Sequence, residues 1–356
     1  AAGFTDRIFG FARSLVGHIR GSLGHANVIA SMIFAGMSGS AVADAAGLGI
    51  VEMKAMLDDG FDPEFSAAVT LASSTIGPII PPSIIMVIYG VVAEVSIGGL
   101  FLGGILPGIL MGLSLMAMVY VISLRRDYPV HRKATFKQAL SSLKSAILPL
   151  MTPIIIVGGI LTGVFTATEA AVTGVMYTLI LGIFVYRWLK WRDIPKILLE
   201  VGVTTATIMF VVATTGVFGW VLAREQIPLL VMNAILGLTK NRYLILFLIN
   251  LVILVEGCFL DATPIVLLMV PVLMPLLKSM GIDPLHFGVV MAINTMIGLT
   301  TPPVGACLYG VSAISKLPVE RIVKALWPFW VALIIALFIV TYVPEIVLFI
   351  PRLVFG

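Results

Sequence analysis

Charged residues are scarce in this chain. Lys, Arg, Asp and Glu make up 11% of its 356 residues, whereas a soluble globular domain carries about 25%. The net charge of +4 is no nucleic-acid signature, because the basic residues lie in loops beside apolar runs. The composition excludes an ordinary soluble domain, and no nucleic-acid partner is expected.

Cysteine and histidine are also rare, with two and four residues. Cys258 and Cys307 are far apart and form no CxxC motif, so both are interpreted as small packing residues. The absence of clustered His or Cys argues against a transition-metal site. No Walker, GxSxG or HExxH motif is present, so neither an ATP-driven pump nor an intramembrane protease is supported, and no enzyme activity or cofactor is expected.

Apolar runs, in contrast, are abundant. Hydrophobic residues make up 60% of the chain, and runs near 20 residues recur along its length, as in helices that span a bilayer. We predict an all-α polytopic membrane protein in contact with the lipid bilayer. Plain spans are expected near 100–124, 146–165, 168–186, 200–222 and 325–350.

The N-terminal stretch 5–24 predicts one amphipathic helix, with Ile8, Phe11, Leu15 and Ile19 on one face. Such a helix lies in the membrane interface or packs as a connector on neighbouring helices, and both interpretations stay open. The chain begins AAGFTDRIFG, without an initiator Met or a signal-peptide pattern. It is expected to be a fragment whose N-terminal spans are missing.

Basic residues predict the sidedness of the loops. Lys and Arg concentrate in 125–145, 187–196 and 316–324, which the positive-inside rule places in the cytoplasm. The connections near 94–99 and 163–168 contain neither residue and fit the outer side. Three basic residues fit this scheme poorly: Arg224, Lys240 and Arg242.

Two stretches interrupt the apolar pattern in the same way. Residues 74–86 read STIGPIIPPSIIM, and residues 295–307 read TMIGLTTPPVGAC. Their Ile-Gly and Pro-Pro pairs recur 221 positions apart. The same offset relates Gly36 to Gly257, 60–63 to 281–284 and Pro107 to Pro328, with a one-residue slip at Tyr89 and Tyr309. This common register predicts two copies of one structural unit.

Each copy is predicted to contain a helical hairpin and a discontinuous transmembrane helix. The hairpin tips lie at 36–49 and 257–264, and the broken helices at 64–93 and 286–313. If both hairpins are re-entrant, three spans separate the copies, and this odd number inverts the second copy. Inverted-topology repeats with broken helices are typical of secondary transporters.

The breaks place polar groups at membrane depth. An unpaired backbone group in hydrocarbon costs several kcal/mol, so the breaks must line a polar cavity or pack within protein. Their carbonyl ends suit a cation and their N–H ends suit a carboxylate. Oxygen-bearing side chains, which suit a hard cation, lie at the tips and breaks: Ser38, Ser40, Asp44, Ser73, Ser74, Thr75, Asp261, Thr263, Asn294, Thr295, Thr300 and Thr301.

A structural role is the alternative for each of these side chains. Ser and Thr often bond a carbonyl one turn back in their own helix. Asp44 and Asp261 have capping of the second hairpin arm as their alternative role. Glu169 is predicted to cap a helix or to bond across helices, and the role of Glu256 stays open.

Five motifs resemble one known family: GMSGSAVADAAGLG, GFDPEFSAAVTLASSTIGPIIPPS, GVFTATEAA, GCFLDATP and GIDPLHFGVVMAINTMIGLTTPPVG. The chain resembles, essentially end to end, the large (DctM-like) membrane subunit of tripartite ATP-independent periplasmic (TRAP) transporters. The family carries additional N-terminal sequence, in line with the fragment interpretation. The resemblance implies a sodium-driven, elevator-type importer in the bacterial inner membrane. Its implied partners are a small four-helix membrane subunit, a periplasmic substrate-binding protein and an organic anion.

The resemblance also implies where ions and substrate bind. The expected substrate is a C4-dicarboxylate, a keto acid, a sugar acid or sialic acid. With no arginine in the repeat core, backbone N–H groups and hydroxyls are expected to hold it. The implied sodium ligands are Ser38, Gly39, Ser40, Thr75, Gly77, Asp261, Thr263, Asn294, Gly298 and Thr301. The expected substrate contacts are Ser40, Ser74, Pro81, Pro82, Thr300, Pro302 and Pro303.

This interpretation divides the chain into moving and static parts. Residues 26–99 and 246–315 form the two halves of a transport domain. Residues 1–25, 100–245 and 316–356 form the scaffold. Two alternatives stay open, a self-sufficient sodium/anion symporter that needs no binding protein, and a channel or purely structural membrane scaffold.

Overall fold

The computed structural model describes residues 2–126 and 128–356, and within them the chain is helical and contains no strand. Six described helices are long and apolar enough to cross a membrane. The expectation of an all-α polytopic protein is therefore confirmed. Helices suit so apolar a chain, because an α-helix pairs its backbone N–H and C=O groups within one segment and the bilayer core offers them no water.

The helices fall into two similar series around a central insertion. The first series is α1 (Ala2–Val16), α2 (Ser22–Ser38), α3 (Ala41–Asp58), α4 (Pro63–Ser74), α5 (Ile84–Ala93) and α6 (Ile97–Ser123). The insertion is α7 (Phe136–Leu161), α8 (Ala167–Ile180) and α9 (Ile194–Arg224). The second series is α10 (Ile227–Leu238), α11 (Arg242–Gly257), α12 (Ala262–Ser279), α13 (Pro284–Gly298), α14 (Ala306–Ser315) and α15 (Val319–Tyr342), followed by α16 (Glu345–Phe355).

The repeat is visible in the helix boundaries. Helices α3 and α12 each have 18 residues and begin at Ala41 and Ala262, 221 positions apart. Helices α4 and α13 both begin with proline after an N-cap aspartate, where proline fits because its missing N–H needs no partner. Both copies also contain a cis Pro-Pro peptide bond at their break. The predicted pairing of the copies thus holds at the level of the helices.

The alignment of Tyr89 with Tyr309 is wrong. Between the cis Pro-Pro pair and the next helix the second copy has one residue more, because α5 starts at Ile84 and α14 starts at Ala306. Counted from the helix starts, Tyr89 corresponds to Val311, and both are buried. Tyr309 is 53% exposed. The matching Tyr-Gly letters therefore do not mark equivalent positions.

The two halves pack on each other reciprocally. Helix α3 contacts α14, and its counterpart α12 contacts α5. In the same way α4 contacts α15, and α13 contacts α6. Such exchange of equivalent contacts is the property of a two-fold axis. The two helices before the breaks lie at the centre, because every residue from Phe65 to Ser74 and from His286 to Gly298 is buried.

Three predicted boundaries differ from the structure. The helix expected over 5–24 is two, because α1 ends before a turn that Gly21 closes with φ of 80°. Of the predicted apolar face, Ile8 of α1 is buried, whereas Leu15 of the same helix is exposed. The apolar stretch 226–256, which the sequence predicts as one segment, is also two helices, α10 and α11. The last span ends at Tyr342, since Pro344 disfavours helical geometry in the residue before it.

Candidate ion and substrate site between two hairpin tips

The tip of the first hairpin lies between α2 and α3. Gly39 has φ of 60°, and a Cβ atom there would lie 2.7 Å from the carbonyl oxygen of Pro82. Ser40 caps α3 by accepting a hydrogen bond from the Ala43 N–H at 3.4 Å. Only glycine fits both the backbone conformation and the close approach. The tip therefore packs directly against the first break.

The first break extends from Thr75 to Ser83. The chain continues past α4 in tight turns, with the Gly77 N–H donating to the Ser74 carbonyl at 3.1 Å. A Cβ on Gly77 would lie 3.5 Å from the Ser40 carbonyl carbon and oxygen. Helix α5 then starts after Ser83, whose hydroxyl accepts from the Met86 N–H at 3.2 Å. Tip and break thus bring the predicted ligands Ser40 and Gly77 together.

Hydroxyl groups at the breaks bond back to their own helices. Ser74 and Thr75 donate to the carbonyls of Leu71 and Ala72 at 2.8 and 2.6 Å. Thr301 donates to the Ile297 carbonyl at 2.9 Å. These side chains therefore have the structural role that was the alternative to ion binding, a hydrogen bond to a carbonyl one turn back. Because each proton is already donated, the oxygen lone pairs are the groups left over, and lone pairs are what a cation binds.

The second hairpin tip is tied to the second break through the backbone. The Val304 N–H donates to the Cys258 carbonyl at 3.0 Å. A Cβ on Gly298 would lie 2.5 Å from the Cα of Gly257, so the two backbones touch. Asp261 caps α12, with its carboxylate accepting from the Ala262 N–H at 2.8 Å. The Asp261 side chain remains exposed beside the tip.

Both tips and both breaks meet at one cavity of about 150 Å³. The first tip and the second tip face each other across it. One residue of each break, Pro78 and Leu299, lines it as well. The predicted ligands that line the cavity are Gly39, Ser40, Asp261 and Thr263. Residues more than 200 positions apart in the chain therefore form one site.

A larger cavity of about 590 Å³ lies next to it, between the first tip and helices α7 and α8. Ser38, Gly39 and Pro82 line its inner wall, and Thr152 of α7 lines its outer wall. The hydroxyls of Ser38 and Thr152 are buried without a hydrogen-bond partner among the described residues. Thr152 was not predicted, since no motif or repeat marks α7, and only the tertiary contact brings it to the tip.

Several predicted site residues line neither cavity. Asn294 donates instead to the Asn250 carbonyl and side-chain oxygens at 2.8 and 2.7 Å, which joins α13 to the first arm of the second hairpin. The Thr300 hydroxyl donates to Ile297 and accepts from the Trp330 indole. The other predicted residues outside both cavities are Ser74, Thr75, Gly77, Pro81, Gly298, Thr301, Pro302 and Pro303.

Two buried acids lie on α3, on the second arm of the first hairpin. Asp44 lies next to Ser31, whose hydroxyl donates to Ser73 at 3.0 Å, and both Asp44 oxygens are buried. Glu52 is fully buried, and neither of its carboxyl oxygens has a hydrogen-bond partner among the described residues. Glu52 was not predicted, although a charged residue on a hairpin arm in an apolar sequence is a signal in itself.

The remaining predictions concern single polar residues. Glu169 forms a capping box with Thr166, so its predicted capping role is confirmed. Cys307 is buried as expected, whereas Cys258 is partly exposed and its Sγ contacts the Leu254 carbonyl oxygen at 3.3 Å. Glu256 has one buried oxygen without a partner among the described residues. None of the described residues forms a cluster of three His, Cys, Asp or Glu that could hold a metal ion.

Residues 1–346 match the family described as the tripartite ATP-independent periplasmic transporter, DctM component. The chain belongs to this DctM family. It is therefore a subunit of a transport protein and not an enzyme, and it is a multi-pass protein of the bacterial inner membrane.

Named relatives of this DctM-family chain transport different acids. It is 46% identical over 356 residues to the sialic acid TRAP transporter large permease protein SiaM of Vibrio cholerae, covering 100% of this chain and 83% of the relative. It is 41% identical to the sialic acid TRAP transporter permease protein SiaT of Haemophilus influenzae, and the match covers 99% of this chain and 57% of the relative. It is 38% identical to the C4-dicarboxylate TRAP transporter large permease protein DctM of Pseudomonas aeruginosa, and the match covers 98% of this chain and 82% of the relative.

Proposed function

We propose that this chain is the membrane subunit of a sodium-coupled secondary transporter that imports an organic anion. The observation that carries the proposal is the meeting of two hairpin tips and two helix breaks at one cavity. Carbonyl groups and hydroxyl lone pairs there suit sodium ions, and the N-terminal N–H groups of α5 and α14 suit a carboxylate. Sialic acid is the first anion to test, because SiaM shares 46% identity with the chain.

We further propose that the two copies are inverted and that both hairpins are re-entrant. Three candidate spans lie between the copies, Phe136–Leu161, Ala167–Val185 and Trp191–Arg224. The first broken helix, formed by α4 and α5, and α6 add two more crossings, and the odd total of five inverts the second copy. The reciprocal contacts between the halves support this arrangement. The two tips would then enter the membrane from opposite sides.

Transport is proposed to follow an elevator mechanism. The hairpins and broken helices, within 26–99 and 246–315, move as one unit against the remaining helices. The larger cavity supports this division, because it separates the first tip from α7 and α8. A periplasmic binding protein delivers the anion, and a small four-helix membrane subunit packs on the apolar outer surface, where α9 and α10 have no buried residues.

The charge balance explains why sodium is needed. Moving one charge through 100 mV changes the free energy by about 2.3 kcal/mol, so an anion entering a negative cell moves uphill. Two sodium ions per monovalent anion reverse the sign of the net charge. A dianion requires a third cation before the membrane potential favours its uptake.

The decisive experiment measures uptake of sialic acid into proteoliposomes that contain this chain, the small subunit and the binding protein. An inward sodium gradient is expected to drive uptake. Asp261→Ala is expected to abolish the sodium dependence, because it removes a carboxylate from the tip, while the protein stays folded. Asp283→Ala is the matched control, since Asp283 also caps a helix through a main-chain hydrogen bond but lies outside the cavity.

Three results would contradict the proposal. Unchanged sodium dependence in Asp261→Ala would remove Asp261 from the ion site. Uptake that needs no binding protein would favour the self-sufficient symporter. Uptake that never saturates with anion concentration would favour a channel.

A further inference from the structure

Glu52 is an ionisable residue buried in the protein without a basic partner. Its side chain is fully buried, and neither carboxyl oxygen has a hydrogen-bond partner among the described residues. Its buried neighbours on the same helix face are Leu48, Gly49, Met53 and Met56. An ionised carboxylate without a partner is unstable in such surroundings, whereas a neutral carboxylic acid is tolerated. Glu52 therefore needs a bound cation.

The surroundings indicate which cation this is. A sodium ion needs several oxygen ligands around it. The buried residues one turn away from Glu52 on α3 carry no side-chain oxygen, and the side-chain oxygens of Asn27 and Thr70, which lie against this face, already accept hydrogen bonds. A proton needs only the carboxyl oxygen to which it is bonded. The geometry points to a proton.

The elements packed on α3 leave Glu52 with one charged neighbour. Helices α1, α2, α4 and α14 surround α3, and Glu52 and Asp44 repel each other when both are ionised. On α4, Glu64 is paired with Arg321 at 2.6 Å. The other titratable or charged side chains on these helices are Asp6, Arg7, Arg13, His25, Cys307 and Tyr309 on the neighbours, and Lys54 and Asp58 on α3 itself. Within the described residues, no basic group stabilises an ionised Glu52.

The position of Glu52 connects this proton to transport. Helix α3 is the second arm of the first hairpin, which starts at the cavity residue Ser40 and packs on α14 of the other copy. In the proposed function this hairpin belongs to the moving unit.

We propose that Glu52 is a proton site of the transporter, which takes up a proton with each anion from the outside and releases it to the cytoplasm. The inference rests on the proposed function and extends it by one coupling ion. In the proposed cycle the carboxylic acid carries the proton inward, transfers it to water once the movement of the hairpin admits water to Glu52, and the resulting carboxylate is protonated again from the outer solution. With two sodium ions, this proton supplies the third positive charge that a dianion needs.

The test records proton, sodium and anion uptake together in proteoliposomes with all three transporter components. A pH-sensitive dye inside the vesicles reports protons, and labelled sodium and labelled sialic acid report the other two. The wild type is expected to acidify the lumen by about one proton for each anion. Glu52→Gln keeps the size and neutrality of the side chain, so it is expected to keep sodium-driven uptake and to lose the proton movement completely. Glu320→Gln, at an exposed glutamate of α15, is the matched control and should behave as the wild type.

Each outcome decides the inference. Sodium-driven uptake without proton movement in the wild type would overturn the proton site and leave the proposed function intact. Equal proton movement in the wild type and Glu52→Gln would assign the proton to another residue. Absence of sodium-driven uptake in the wild type would overturn the proposed function, and the inference with it. If Glu52→Gln does not fold, Glu52→Met takes its place, because methionine has a similar length and cannot carry a proton, and the same loss of proton movement is expected.

Discussion

At the scale of residues, glycines allow the tips to reach the breaks. Gly257 and Gly298 touch through their backbones, and Gly39 approaches the Pro82 carbonyl at a distance that no Cβ atom tolerates. Because these contacts carry no side chains, the tips and the breaks touch directly through their backbones. Small residues that permit backbone contact are also a common means of helix association in membranes.

Gly298→Ala tests this contact. The new methyl group would lie 2.5 Å from the Gly257 Cα, and backbone cannot move aside as a side chain can. Overpacking of this kind costs about 1–3 kcal/mol. We expect a lower midpoint of thermal unfolding in detergent, together with weaker sodium dependence of uptake. Gly310→Ala, where a Cβ meets no atom within 4 Å, should leave both unchanged, and equal effects of the two variants would contradict the proposed contact.

At the scale of elements, the segment after α6 holds the base of the first hairpin. The Tyr128 hydroxyl donates to the Asp62 carboxylate at 2.7 Å, and Arg126 pairs with the same carboxylate. The Tyr128 ring stacks on Phe61 at 4.5 Å and packs on Phe65 at 5.0 Å between centroids. Burial, followed by the hydrogen bond to Asp62, raises the pKa of Tyr128, so this phenol stays a neutral donor at physiological pH.

Two variants of Tyr128 separate the ring from the hydroxyl. Tyr128→Phe removes the hydrogen bond and is expected to cost about 1 kcal/mol. Tyr128→Ala also removes the ring contacts, each worth about 0.5–1.5 kcal/mol beyond area burial, and should lower the unfolding midpoint further. The midpoint of thermal unfolding in detergent measures both. If Tyr128→Phe were as destabilising as Tyr128→Ala, the aromatic stack would contribute nothing.

At the scale of the whole molecule, the chain consists of two series of helices that exchange equivalent contacts. Helices α4 and α13 are buried along most of their length at the centre, whereas α9 and α10 have no buried residues. The centre therefore carries the polar residues and the cavity, and the periphery presents apolar side chains to lipid or to a membrane partner. Under the proposed inverted arrangement, the two tips would close this one cavity in turn.

Cysteine labelling tests the inversion directly. Asp58 and Ser279 are the last residues of α3 and α12, lie 221 positions apart and are both exposed. In a background without Cys258 and Cys307, we expect an impermeant maleimide to label Ser279→Cys in intact cells and Asp58→Cys only after permeabilisation. Labelling of both from the same side would refute the inverted arrangement.

The sequence by itself determined the class, the repeat and the location of the breaks. Low charge and long apolar runs dictate membrane helices, and Pro and Gly end helices wherever they stand, so the tips at Gly39 and Asp261 and the breaks at Gly77 and Gly298 could be read locally. The predicted helix over 5–24 and the alignment of Tyr89 with Tyr309 were wrong. Neither a periodic pattern of apolar residues nor a matching residue pair says which other helices pack against that segment.

Only the tertiary structure decided which of these residues meet. It brought Ser40 and Asp261 to one cavity, assigned Asn294 to Asn250 instead, added Thr152 from α7 and revealed the unpartnered Glu52. The physical reason is that helix formation depends on residues within a turn or two of each other, whereas these contacts join residues up to 221 positions apart through the packing of whole helices.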